Sequence, residues 1–341
     1  IGIQSEGIGM GMAIGDLNND GLLDILKTNV QYMSQNRLRL SCAANWGTEE
    51  NLNRPSPLNL FTGMKNGNKK TFVETSFNYG LTDVGEGLGA VELIDYNNDG
   101  NLDIYIANGL WSGTEKSEDI SSLFSRSSEF GTERAIREER TKETQSAIMK
   151  LLANYRGSIS GKKGEQRLSL GGFQRNRLFR NNGDGTFMEV GYLEGVDSIA
   201  DGYIVSVDDI NNDGKQDLIL RNADPGVVEV KYPPVQVLKN VGAQKASVRI
   251  RLVGNSSNRD GIGAEIIAKL DNGISQIRQV IANNGTAQSE PIIHFGLGSS
   301  QKINELMIKW PSGISSTVKD IKPGFYTIEE PKDYKKVSSA N

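Results

Sequence analysis

Three stretches of this 341-residue chain space oxygen-bearing side chains as a hard cation requires. They are Asp16-Leu17-Asn18-Asn19-Asp20-Gly21-Leu22-Leu23-Asp24, Asp95-Tyr96-Asn97-Asn98-Asp99-Gly100-Asn101-Leu102-Asp103 and Asp209-Ile210-Asn211-Asn212-Asp213-Gly214-Lys215-Gln216-Asp217. Oxygens at positions 1, 3, 5 and 9 point inward from alternate residues, glycine at 6 permits the sharp turn, and residue 7 lends its backbone carbonyl. The expected metal ligands are Asp16, Asn18, Asp20, Leu22 and Asp24; Asp95, Asn97, Asp99, Asn101 and Asp103; and Asp209, Asn211, Asp213, Lys215 and Asp217. Three carboxylates held this close repel one another without a cation, so the pattern asks for Ca²⁺, about three ions in all. The alternative is three Asn/Asp/Gly-rich hairpin turns with no ion, because such residues dominate turns. Three copies at one spacing favour the ion.

An EF-hand begins the same way, but it needs a bidentate Glu at position 12 and helices on both sides. Position 12 is Lys27, Ile106 and Leu220, and the flanks alternate with period two, as at Leu102, Ile104 and Ile106. The units are therefore strand, loop, strand. Asn59-Leu60-Phe61 with Thr71-Phe72-Val73-Glu74 about a turn at Asn66-Gly67-Asn68, and Asn176 to Val190 around Asp184-Gly185, read as hairpins. Hairpin, strand, loop, strand is about one propeller blade. The loop starts at 16, 95 and 209 are further apart than the roughly 40 to 60 residues of a blade, so insertions are expected.

The fold class is mainly β: a partial or complete β-propeller with a helical insertion and a C-terminal antiparallel β domain. Residues 1–110 hold blades with two acidic loops, 111–172 the helical insertion, 173–243 the blade with the third loop, 244–330 the β domain, and 331–341 a disordered tail. Helix formers run from Thr132 to Tyr155, with an apolar stripe at Ile148, Leu151, Leu152 and Tyr155. Decoration and a contact surface for another subunit are both open readings of that segment. From Lys245 short alternating strands and Asp-Gly, Asn-Gly and Ser-Gly turns describe the last module.

Composition excludes several classes. The net charge of -4 gives no general affinity for nucleic acid. A single cysteine, Cys42, rules out an intrachain disulfide framework and reads as a small buried hydrophobe. No apolar run reaches the length of a membrane span. The chain opens at Ile1 without Met and looks processed or trimmed, and weak calcium loops need the millimolar calcium found outside the cytoplasm.

The acidic loops with Asn182-Gly183-Asp184-Gly185-Thr186-Phe187 resemble the FG-GAP or VCBS repeats of integrin-α-like propellers. Asn258-Arg259-Asp260-Gly261-Ile262-Gly263-Ala264, His294-Phe295-Gly296-Leu297-Gly298 and Trp310-Pro311-Ser312-Gly313 resemble the ASPIC/UnbV domain that follows such repeats in cartilage-acidic-protein-like proteins. The resemblance implies an extracellular, cell-surface or periplasmic calcium-binding protein that serves as a binding or scaffold module for a protein or glycan. Full propellers of this type have about seven blades, so three loops leave room for a partial ring, a fragment, or a ring completed by a partner chain.

No catalytic residue is expected. His294 is the one histidine and is read as a structural residue in a turn, and no GxSxG, HExxH or P-loop occurs. Asp260 is read as turn chemistry, with pairing to Arg259 as the other option. Two alternatives stay open: an enzyme or accessory subunit with its site on a propeller face, by fold analogy, and a structural component of a surface assembly.

Overall fold

A computed structural model describes residues 3, 8–30, 58–67, 69–81, 84, 88–109, 172–222, 233–243, 245–283, 285 and 287–332. Cys42, the expected helix within 111–171 and the tail from 333 lie outside the described residues. The described residues are mainly β, in five sheets with a propeller-like arrangement. The first is the meander β1 (Ile8–Gly15), β2 (Asp24–Val30), β3 (Leu58–Asn66) and β4 (Lys69–Glu74). The second repeats it with β5 (Leu88–Ile94), β6 (Asp103–Asn108), β7 (Arg177–Asn181) and β8 (Phe187–Glu189). The third has β9 (Gly202–Asp208), β10 (Asp217–Asn222) and β11 (Val235–Leu238).

All three acidic stretches connect the first two strands of a sheet in one register. Gly15 lies opposite Asp24, Ile94 opposite Asp103, and Asp208 opposite Asp217. The first strands β1, β5 and β9 lie side by side. Their approach demands glycine: a Cβ on Gly89 would sit 2.8 Å from the Gly202 carbonyl oxygen, and one on Gly11 would sit 3.0 Å from that of Gly89. Leu26, Leu60, Val91, Ile104 and Phe179 fill the core between the first two blades, and Ile94, Tyr105, Val205 and Leu220 the core between the next two. Each fully buried side chain of this kind stabilises by about 1.5–3 kcal/mol.

The C-terminal module packs two sheets around one apolar core that includes Ile250, Ile266, Phe295, Ile308 and Trp310. Its strands are β12 (Ser247–Val253), β13 (Glu265–Leu270), β14 (Ser275–Gln279), β15 (Ile292–Gly296), β16 (Ile303–Lys309), β17 (Ser315–Ile321) and β18 (Gly324–Glu329). The sheet orders are β15-β12-β18 and β14-β13-β16-β17. The sequence reading had every pairing antiparallel; β12 and β18 instead run parallel, because β18 crosses over from β17 of the other sheet before it reaches the β12 edge. Glu330 fixes that last strand. Its buried carboxylate accepts the N–H groups of Asn255 and Ser256 at 2.8 Å, that of Ser257 at 2.7 Å, and the hydroxyls of Ser257 and Ser312. Burial alone would raise its pKa, but the bonds from Ser312, Ser257 and Asn255 hold it down at about 2. The Asn258 and Trp310 motif segments are thereby tied to one anion.

Candidate functional site

Each acidic loop has the same backbone. The fourth residue is left-handed, with φ of 56° at Asn19, 51° at Asn98 and 57° at Asn212, and so is the glycine at position six. Asparagine tolerates that conformation better than other side chains, and glycine adopts it freely. The turn then folds its own N–H groups onto its carboxylates. Asp16 accepts from Asp20 and Gly21, Asp95 from Asp99 and Gly100, and Asp209 from Asp213 and Gly214, at 2.7–3.1 Å. Asp24, Asp103 and Asp217 each accept an N–H from position two of their loop and another from the third strand or just beyond it, at Gly63, Asn181 and Asn240.

The expected ligands are therefore gathered loop by loop. Among the described residues no three Asp, Glu, His or Cys side chains converge on a point that could hold a metal as they stand. Asn18, Asn97 and Asn211 each donate to the carboxylate of position five, at Asp20, Asp99 and Asp213. Leu22, Asn101 and Lys215 each donate their backbone N–H to that same carboxylate.

The donor chemistry fits a cation best in the first two loops. Burial raises Asp16, takes Asp24 and Asp95 to about 7, and carries Asp103 well above the carboxylate range. Repulsion adds to it, from Asp20 on Asp16, from Asp16 and Asp20 on Asp24, and from Asp95 and Asp99 on Asp103, while at Asp95 the Arg278 guanidinium opposes burial more strongly than Asp99 adds to it. In the third loop Asp213 moves the other way. Burial pushes it up, but the Asn211 amide and the N–H and ammonium of Lys215 outweigh that.

The C-terminal module sits directly on these loops. Gly296 donates its N–H to Asp95 Oδ2 at 3.1 Å, and Gly298 donates to the Asn98 carbonyl at 2.9 Å. Arg278, fully buried, donates to the Gly100 carbonyl at 3.1 Å, and Arg249 pairs with Asp209 at 2.7 Å. His294 lies in strand β15 and not in a turn, and its Nε2 is 2.7 Å from Asn98 Oδ1. Asn98 uses its Nδ2 to donate to the carbonyls of Gly214 and Lys245, so its Oδ1 accepts and His294 Nε2 carries the proton. Burial, then the charges of Arg278 and Arg249, hold His294 at about 3, and the ring stays neutral. Asp260 does both things considered for it: its carboxylate takes two 3.0 Å bonds from exposed Arg259, and Gly261 closes the turn at φ 65°.

Beside the loops, β1, β5 and β9 and the β14–β15 segment enclose a cavity of about 130 Å³ whose polar lining includes Glu92, Gln216, Arg278, Ser289 and His294. Glu92 accepts the Ser289 hydroxyl, and burial raises its carboxyl to about 7. Its folded value lies above the ordinary one, so the stability it contributes is whole below pH 4.5 and drains as pH rises through 7. Glu92→Gln should therefore flatten the fall in melting temperature between pH 4.5 and 7, a difference on the order of 3 kcal/mol. Equal slopes for the variant and the parent in a buffer series would contradict this.

Sequence reasoning missed the docking residues Arg249, Arg278 and Gly296, and the asparagine latches between blades. Asn181 donates to the Leu17 carbonyl of the first loop at 2.7 Å, and Asn240 to the Tyr96 carbonyl of the second at 2.7 Å. One signal was available: asparagine stands at position four in all three loops, and in two of them it bridges to the next loop, Asn19 to Asn101 and Asn98 to Gly214.

Comparison with known proteins agrees with this division. The chain is similar to mouse cartilage acidic protein 1, with 25% identity over 269 residues. The similarity covers 76% of this chain and 39% of that protein, so the chain spans about two fifths of the relative's length. No helix among the described residues is long and apolar enough to cross a membrane. Residues 254–335 match the ASPIC and UnbV family model, and the module seated on the acidic loops is thus an ASPIC and UnbV domain, carried behind three propeller blades among the described residues.

Proposed function

We propose that the chain is an extracellular or periplasmic, calcium-stabilised binding or scaffold module rather than an enzyme, with its acidic loops as the calcium sites. The observation that carries this is the pair of loops at Asp16–Asp24 and Asp95–Asp103, where buried carboxylates at ligand spacing repel one another. A bound Ca²⁺ would supply positive charge there, and Asp16, Asn18, Asp20, Asp24 and their counterparts would hold it, with the position-seven carbonyls. His294 supports a non-catalytic reading: a ring held at about 3, with Nε2 committed to Asn98, is a weak base.

A binding surface has its own support. The turns that follow β4 and β8 correspond: Leu81 N–H bonds the Ser76 carbonyl as Val196 N–H bonds that of Gly191. At the matching position each turn exposes an aromatic ring, Phe77 at 81% and Tyr192 at 74%, with Leu193 beside the latter at 76%. Exposed apolar side chains at repeated positions suit a protein or glycan partner. Glycan-array and cross-linking capture in calcium, with the parent chain and with a Phe77→Ala/Tyr192→Ala variant, tests this. Retained melting temperature with at least tenfold weaker capture is expected, and unchanged capture would reject this surface.

A further inference from the structure

We propose that the third acidic loop is a pseudo-site closed by the chain's own cations, the Arg249 guanidinium and the Lys215 ammonium, so that calcium occupies only the first and second loops. This rests on the calcium reading above and narrows it.

The loops share backbone and spacing but not surroundings. Asp209 Oδ2 accepts the Gly214 N–H at 2.7 Å and pairs with Arg249 Nη1 at 2.7 Å, with the two side chains 1% and 10% exposed. Asp95 Oδ2, at the same position of the second loop, accepts Gly100 at 3.0 Å and a neutral amide, Gly296 N–H, at 3.1 Å. A charged donor in one loop thus stands where an uncharged one stands in the other. Lys215, at position seven, puts its ammonium 3.6 Å from Asp213 Oδ2 and bonds the Gly242 carbonyl at 3.2 Å. The residues at that position in the other loops, Leu22 and Asn101, carry no charge.

Charge balance follows from this. The first two loops carry six carboxylates, of which Asp16, Asp95 and Asp103 face one guanidinium, Arg278, whereas the third places three against two cations. A divalent ion in the third loop would have to share Asp209 with a buried guanidinium. Arg249 cannot easily leave, because β12 is bonded on both sides, to β15 and β18, and the guanidinium lies over the Phe325 ring at 5.2 Å. A buried pair of this kind loses both charges' hydration and is held only while it stays paired. Arg249 of β12 and the loop's own Lys215 therefore supply in protein form the charge that calcium would supply to the other loops.

Equilibrium dialysis with calcium, counted by elemental analysis, tests the proposal on the full chain. Two ions per chain are expected for the parent, one each for Asp20→Asn and Asp99→Asn, and still two for Asp213→Asn. Arg249→Met/Lys215→Leu should take up a third ion, with at least 100-fold tighter binding at that loop. If the double variant folds poorly, Asp213→Asn decides, because its side chain is partly exposed and a drop to one ion would place calcium in the third loop. A parent count of three, or a double variant that stays at two, overturns the proposal while leaving calcium binding intact. A parent that binds no calcium overturns the calcium reading itself.

Discussion

Gly296→Ala should separate the ASPIC and UnbV domain from the propeller loops and lower the melting temperature by roughly 10 °C. The added methyl carbon would lie 2.1 Å from Asp95 Oδ2, 2.6 Å from the Asn98 carbonyl carbon and 2.7 Å from its Cα. Two of these are backbone atoms of a turn fixed by its own hydrogen bonds, so neither can swing aside. Overpacking against rigid neighbours costs about 3 kcal/mol or more, and at roughly 2–4 °C per kcal/mol the shift is of that size. The loss extends beyond the clash. Moving Gly296 away withdraws its N–H from Asp95, draws His294 from Asn98, and lets water reach a junction where Arg278 is fully buried. Two unfolding transitions in urea are expected in place of one, with a protease-resistant C-terminal fragment. A single transition at the parent's midpoint would mean that the glycine's closeness is incidental.

The His-Phe-Gly-Leu-Gly motif was legible as a motif but not as a joint. The sequence reading puts His294 in a turn, the structure puts it in a strand, and nothing local says that the strand's end faces a loop some 200 residues earlier. The three acidic loops were legible because their information is local: spacing fixes which oxygens face inward, and glycine fixes the turn. The hairpins that close the first two sheets were legible at Asn66-Gly67 and Asp184-Gly185, but the phase of the blade was not: those sheets run strand, acidic loop, strand and then hairpin, where the sequence reading puts the hairpin first. The parallel β12–β18 pairing was not legible, since strand direction is set by a crossover and not by periodicity. Arg249 and Arg278 were invisible for a related reason. On a strand read from sequence, an arginine looks like a solvated residue, and only the docked domain turns it into a counter-charge for an aspartate of another sheet.

Chelation should produce the other large effect. Sites of this type outside the cytoplasm bind with Kd on the order of 10⁻⁴ M, so 5 mM calcium stabilises by about 2 kcal/mol per ion. Two ions then raise the melting temperature by roughly 10 °C over the value in excess EDTA. The pH dependence separates this from a general salt effect. In EDTA, Asp24 and Asp95 sit at about 7, above their ordinary 3.8, so the stability they contribute is whole below pH 3.8 and is lost as pH rises through 7. His294 works in the opposite sense, since its value of about 3 lies below the ordinary 6.5: its contribution is complete above pH 6.5 and lost as pH falls toward 3. Above pH 6.5 the histidine is therefore silent, and the chelated chain, whose main loss lies between pH 3.8 and 7, should still lose stability as pH rises through 7. The calcium-loaded chain should not, because the ion takes the place of the protons. Asp24→Asn/Asp95→Asn should shrink both the calcium rise and the chelated chain's slope. Equal melting temperatures with calcium and with EDTA across that range would reduce the loops to ion-free turns, leaving the three repeats as a solution to backbone geometry alone.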